Sequence, residues 1–142
     1  MTKRRATAEW CGDLKTGKGK MQVASGAFAG NYSFASRFEN GDGTNPEELI
    51  AAAHAGCFSM ALSHELAGAG FEPQSVSTRA VVSLDQVDDG FAITAIRLNT
   101  EARVADISEE EFLKYAETAK TNCPVSKALA GAKITLEAKL AS

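Results

Sequence analysis

From Leu49 to His64 the chain carries no Asp, Glu, Lys or Arg, while small residues recur at Ala51, Ala52, Ala53, Ala55, Gly56, Ser59, Ala61 and Ser63. Its flanks mark the stretch as a helix. Asn45 can cap the first free amides, and Pro46 suits a first helical position because its missing N–H would be unpaired there anyway. Glu47 and Glu48 set negative charge at the positive end of the helix dipole. Gly68 and Gly70 let the helix stop. A helix of about 22 residues is about 33 Å long, the width of a small domain. A surface helix shows a charged face, so this one is expected to be buried all round. It is too short, and with His54, Ser59 and Ser63 too polar, to span a membrane. Gly56 costs roughly 1 kcal/mol against Ala in a helix interior, which points to a close contact there. A two-layer domain of this size rarely encloses a helix completely, so a second subunit is expected over one side. Cys57 lies at the centre of that dry stretch.

The length, 142 residues, predicts one domain, 1–142, burying about 68–70% of its unfolded surface. With 44% hydrophobic and 23% charged residues, the composition is that of a soluble globule. A net charge of −3 weighs against a nucleic-acid or anionic-membrane binder. Residues 1–5 are basic, but no apolar run follows, so no signal peptide is expected. Three cysteines, an odd count without CxxC, predict a reducing cytoplasmic setting and no zinc site. With only His54 and His64, a histidine-rich metal site is not expected either.

Taken in order, residues 6–12 alternate as a strand, 13–19 turn, and 20–25 form a second strand, making a hairpin. Residues 31–38 alternate again, with Tyr32, Phe34, Ser36 and Phe38 on one face and Ser33, Ala35 and Arg37 on the other, and predict a third strand. NGDG at 40–43 is a loop that delivers the chain to the long helix. Beyond the helix, residues 74–85 form a strand and Asp88, Asp89 and Gly90 a hairpin turn. Residues 91–104 form a long strand whose Ile93, Ile96 and Leu98 alternate imperfectly. Ser108 to Glu111 reads as a capping box opening a helix to about residue 120. Asn122, Cys123 and Pro124 interrupt it, and a short helix over 125–130 follows. Residues 132–140 close the chain as a strand. Strands in two groups without regular βαβ alternation give an α+β class with antiparallel sheets.

Cys57 and Cys123 can meet only through the fold. Cys123 opens a short helix, where free amides and the dipole favour a thiolate. Cys57 is mid-helix, and burial alone raises its pKa, so reactivity needs a cation or donors nearby. A thiol of pKa about 8.5 is about 3% ionised at pH 7, and lowering it to about 6 makes that about 90%. By itself, a Cys in an Ala-rich helix reads as a small buried hydrophobe. His64 shares its face but lies roughly 10 Å along the axis, whereas His54 is one turn back. Arg37, opposite the aromatics, reads by default as a solvated charge.

TNPEELIAAAHAGCFSMAL followed by NCPVSKAL resembles the OsmC (osmotically inducible protein C) branch of the OsmC/Ohr family of thiol peroxidases. The likeness extends to WCGDLKTGKG, SRFENGDGTNPEEL and DDGFAITAI, and so to nearly the whole chain. It implies an α+β homodimer of intertwined chains, with antiparallel sheets wrapped around long central helices. By resemblance, Cys57 matches the peroxidatic cysteine and Cys123 the resolving one, while Arg37 matches the active-site arginine and Glu47 the glutamate that holds it. The implied reaction reduces organic hydroperoxides, and hydrogen peroxide less well, in oxidative and osmotic stress defence. It proceeds through a Cys57 sulfenic acid and a Cys57–Cys123 disulfide, which an external lipoyl-type or other small dithiol reduces, with no metal or flavin. Phe38, Phe58 and Met60 are expected to give apolar surroundings suited to organic hydroperoxides. Cys11, His54 and His64 receive no role. The rival readings are a binding module enclosing an apolar ligand at a dimer interface and a redox-sensing structural dimer. Neither gives Arg37 and Glu47 a reason to join two cysteines.

Overall fold

The amino-terminal hairpin forms where alternation predicts it. The computed structural model describes residues 1–141, and the chain makes two units, Met1–Leu49 and Ile50–Ser142. In the first, β1 (Ala6–Cys11), β2 (Lys18–Val23) and β3 (Ala29–Tyr32) form an antiparallel sheet in that order. Gly19 on β2 lies between Trp10 and Tyr32, whose rings meet with centroids 5.3 Å apart, and a Cβ there would strike both.

The strand predicted over 31–38 ends at Tyr32. Phe34–Phe38 is instead a short helix, α1. Its start is a reciprocal cap built from two hydroxyls: the Ser36 amide donates to Ser33 Oγ at 3.1 Å, and the Ser33 amide to Ser36 Oγ at 2.8 Å. A box of that kind satisfies two orphan amides at once and decides for helix. Phe34 and Phe38, four apart, stack with centroids 4.9 Å apart, so the aromatic spacing suits a helix equally well.

The long helix, α2 (Pro46–Gly68), begins in the first unit with the predicted cap. Asn45 Oδ1 accepts from the Glu48 amide at 2.7 Å. Three further bonds fix the lead-in: Thr44 N–H to Asn31 O at 2.8 Å, Ser36 Oγ to Thr44 O at 2.7 Å, and Asn45 Nδ2 to Ser36 O at 3.0 Å. Gly43 makes this turn possible. Its φ is +117°, and a Cβ would lie 2.6 Å from Asn31 O.

In the second unit β4 (Pro73–Val87), β5 (Gly90–Val104) and β6 (Lys133–Leu140) form the other sheet, in that order. β4 and β5 pair antiparallel around a turn at Asp88 and Asp89. Ser83 pairs with Ala95 and Leu84 with Ile93, which leaves Thr94 as an extra residue in β5. This bulge explains the imperfect alternation: Ile93 precedes it, while Ile96 and Leu98 follow it. Among the described residues the expectation of antiparallel sheets holds for every pairing of two strands but one, because β6 runs parallel to β5. Helices α3 (Glu109–Asn122) and α4 (Pro124–Ala128) supply the crossover that a parallel neighbour requires. Ser108 caps α3 by accepting from the Glu111 amide at 3.1 Å.

One core serves this unit. Phe58, Leu62 and Leu66 of α2, four residues apart, pack with Ile96, Leu98 and Ala102 of β5 and with Phe112, Ala116 and Ala119 of α3. Ser59 also reaches the sheet, donating to Thr78 Oγ1 at 2.7 Å. Within the chain the opposite side of α2 is open, as expected of the side that a second subunit would cover. Ala52, Ala53, Gly56, His64 and Ala67 are exposed, and Met60 is 77% exposed. Gly56 has nothing within 4 Å of where a Cβ would stand, so the close contact expected there is not made within the chain. No helix among the described residues is long and apolar enough to cross a membrane.

Candidate active site

The first unit assembles a charged pair. Arg37 on α1 and Glu47 in the first turn of α2 meet in a bidentate bridge, with Nε to Oε1 at 3.0 Å and Nη2 to Oε2 at 2.9 Å. The Ser36, Thr44 and Asn45 bonds hold the two helix starts together, so the pair is placed by backbone. Two parallel charge-assisted bonds fix the plane of a guanidinium as well as its position. Glu47 is buried, while Arg37 is about one-third exposed, with its Cζ 5.3 Å from the centre of the Phe38 ring. Arg37 is therefore neither opposite the aromatics nor a freely solvated charge, as its sequence setting had predicted.

The second unit assembles two thiols. Cys57, half-buried on α2, and Cys123, fully buried, bring their sulfurs to 2.9 Å although they are 66 positions apart. Both are free thiols. Cys123 closes α3, its amide donating to Ala119 O at 2.9 Å, and opens α4 ahead of Pro124. Pro124 forces this break, since its ring cannot continue α3 yet suits the first position of a new helix.

The proton between them is not shared evenly. Burial pushes the Cys57 thiol up, and the bond with Cys123 adds to this; the Val125 amide only partly offsets them. Burial also opposes a Cys123 thiolate. There, however, hydrogen bonds from Cys57, from the Ser126 amide and hydroxyl and from the Val125 amide outweigh it and hold the thiol below its ordinary range. This matches the mid-helix and helix-start settings read from the sequence.

Beside the thiols lies a second rung that sequence reasoning missed. His54, fully buried one turn before Cys57, bonds through Nε2 to Ser126 Oγ at 2.7 Å. Ser126 sits three residues after Cys123, a spacing that puts both on one face of a helix start and was the signal available. Burial lowers the His54 pKa and keeps the ring neutral. Cys11 is exposed on β1, with its thiol 3.8 Å from a Glu9 carboxylate oxygen, and His64 is exposed on α2. Phe58 lies in the core and Met60 on the open face, so these two do not line one common surface.

Residues 39–139 match a family model described as OsmC-like protein. The chain is 51% identical over 140 residues to Peroxiredoxin OsmC of Escherichia coli (strain K12), covering 98% of this chain and 97% of that protein. It is 35% identical over 95 residues to organic hydroperoxide resistance protein OhrB of Bacillus subtilis (strain 168), covering 66% of this chain and 67% of that one. The crystal structure of Bacillus subtilis OhrB has a similar fold, with a TM-score of 0.68 at 25% identity over 96% of this chain and 98% of that chain.

Proposed function

The chain belongs to the OsmC family, and from that premise we propose that it is a thiol-dependent peroxidase acting on organic hydroperoxides, and less well on hydrogen peroxide, in oxidative and osmotic stress defence. One observation carries the reading: two free thiols 66 residues apart in sequence meet at 2.9 Å, half-buried and buried, with opposite proton preferences. Two inert buried cysteines have no need of that juxtaposition.

In the proposed cycle the Cys57 thiolate attacks the terminal oxygen of the hydroperoxide. The O–O bond breaks, an alcohol or water leaves, and Cys57 becomes a sulfenic acid. Burial alone keeps Cys57 protonated, so the reaction needs a cation, and Arg37 is assigned that part with Glu47 orienting it. Their bidentate bridge engages Nε and Nη2 and leaves Nη1 available for an anion. The same guanidinium can donate to the leaving oxygen, where negative charge develops. Cys123 then displaces hydroxide from the sulfenic sulfur, forming the Cys57–Cys123 disulfide and sparing Cys57 from over-oxidation. An external dithiol, lipoyl-type or another small one, reduces that bond; the cycle calls on no metal or flavin. Three cysteines without a disulfide framework suit a cytoplasmic setting.

The working unit is proposed to be an intertwined homodimer. Its support is the open, uncharged stripe of α2 at Ala53, Gly56, Met60 and Ala67, which a second copy would cover. Peroxide consumption with a dithiol, comparing an alkyl hydroperoxide with hydrogen peroxide, tests the reading. Catalytic turnover with faster loss of the alkyl hydroperoxide is expected. Stoichiometric oxidation without turnover would instead make the pair a redox sensor.

A further inference from the structure

Two contacts run side by side between α2 and the start of α4. Cys57 meets Cys123 at 2.9 Å, and His54, three residues before Cys57, meets Ser126, three residues after Cys123, at 2.7 Å. His54 is fully buried and Ser126 is 6% exposed. The peroxidase cycle uses neither.

The bond has a direction. His54 Nδ1 is buried without a hydrogen-bond partner among the described residues. A buried orphan N–H is rarer and costlier than a buried orphan lone pair, so Nδ1 is the lone pair and Nε2 carries the proton. Nε2–H therefore donates to Ser126 Oγ, which leaves the hydroxyl's own proton free to donate elsewhere. Ser126 stands three residues after Cys123 in the first turn of α4, and its hydroxyl and amide are among the groups that lower the Cys123 pKa, so the Cys123 sulfur is the acceptor assigned to that proton.

We propose that His54 and Ser126 are positioning residues for the resolving step: the imidazole fixes the Ser126 hydroxyl so that its proton faces the Cys123 sulfur. This rests on the peroxidase reading and goes beyond it, since it concerns how the second thiol is made ready. In that step the Cys123 thiolate attacks the sulfenic sulfur of Cys57. An S–S bond forms, the S–O bond breaks, and hydroxide leaves and takes a proton from solvent. The sulfenic sulfur is reduced as the Cys123 sulfur is oxidised, so no further oxidant is required. A thiolate held ready shortens the life of the sulfenic acid and so limits its oxidation to sulfinic acid. The titratable groups around Cys123 include Cys57 and His54 on α2, Glu65 of α2, whose carboxylate accepts from the Asn122 side chain at 3.5 Å, and Lys120 on α3 and Lys127 on α4, which line the same groove as Ser126. The lysines stay unchanged in every variant below.

Two measurements test this. In the Cys57→Ser background, thiolate absorbance is titrated with Ser126 intact, as Ser126→Ala and as Ser126→Thr. Losing a hydrogen bond to a charged sulfur should cut the Cys123 ionisation constant about tenfold, and Thr, which keeps a hydroxyl, should restore most of it. Ser126→Ala removes one oxygen and should fold, with thermal melting as the check. An unshifted titration in folded Ser126→Ala overturns the proposal, and it does so whether or not the protein is a peroxidase. In the two-cysteine protein, a single turnover with an alkyl hydroperoxide should show an unchanged sulfenic step. Disulfide formation should be about tenfold slower in Ser126→Ala and in His54→Leu, with more sulfinic acid found by mass. Normal resolution in both variants overturns the proposal. A parent protein that forms no sulfenic acid overturns the peroxidase reading instead and leaves the titration to judge the relay.

Discussion

Cys123 and Cys57 share a sulfur contact of 2.9 Å but not an affinity for the proton: hydrogen bonds hold Cys123 below the ordinary thiol range, and burial pushes Cys57 above it. Cys57→Ser should therefore abolish turnover, because the sulfur that takes the oxygen is gone. Cys123→Ser should permit one turnover and then let Cys57 proceed to sulfinic acid, seen as a mass increase of two oxygens after peroxide treatment. Turnover retained in Cys57→Ser would move the chemistry to Cys123.

The depressed Cys123 thiol also predicts a pH-dependent stability. A group whose native pKa lies below its unfolded value, about 8.5, stabilises fully above that value and loses the contribution as pH falls through the native one. Between the two the unfolded chain binds more protons, so unfolding free energy rises with pH. Denaturant unfolding of reduced Cys57→Ser at several pH values should show this rise up to about pH 8.5, and adding Cys123→Ala should flatten it. Parallel curves would mean that Cys123 is not depressed.

Arg37 is the proposed counterweight to the burial of Cys57. In the Cys123→Ser background, Arg37→Ala should leave burial unopposed and move Cys57 ionisation further up, cutting the thiolate at pH 7 and slowing the peroxide step. Glu47→Gln should act in the same direction but more weakly, since the guanidinium loses its second charge-assisted bond without being removed. Arg37→Ala also leaves the buried Glu47 carboxylate unpaired and should cost about 1–3 kcal/mol of stability. An unchanged Cys57 titration would take Arg37 out of the mechanism.

What the sequence revealed follows the range of each interaction. The start of α2 was legible because Asn45, Pro46, Glu47 and Glu48 act on amides within one turn. The helix at Phe34–Phe38 was misread because aromatics at 32, 34 and 38 fit a strand as readily, and the deciding Ser33–Ser36 box uses two hydroxyls where Glu or Gln is the usual second member. The fault in the β5 alternation was visible, but its cause, an extra Thr94, needs the register with β4. The parallel pairing of β6 depends on where α3 and α4 carry the chain, which no local pattern states. At the site, the unequal settings of Cys57 and Cys123 could be read from helix position alone. The bond between His54 and Ser126 joins residues 72 apart, and its one local trace, the three-residue spacing of Cys123 and Ser126, does not name His54 as the partner.

Gly56 offers a test of the proposed dimer that separates it from folding. A Cβ at this position meets nothing within 4 Å in the chain itself. Gly56→Leu should therefore leave the core of Phe58, Leu62 and Leu66 intact and gain up to about 1 kcal/mol of helix propensity. If a second copy packs its backbone against this stripe, the added isobutyl group cannot be accommodated and the dimer dissociates. The expected result is a folded protein of native helix content whose mass, by sedimentation, falls from two chains to one. Because the exposed Met60 lies one turn further along the same stripe, Met60→Lys should act in the same direction through the cost of burying an unpaired charge. Dimers persisting in both variants at micromolar concentration would place the interface elsewhere and leave the uncharged face of α2 unexplained.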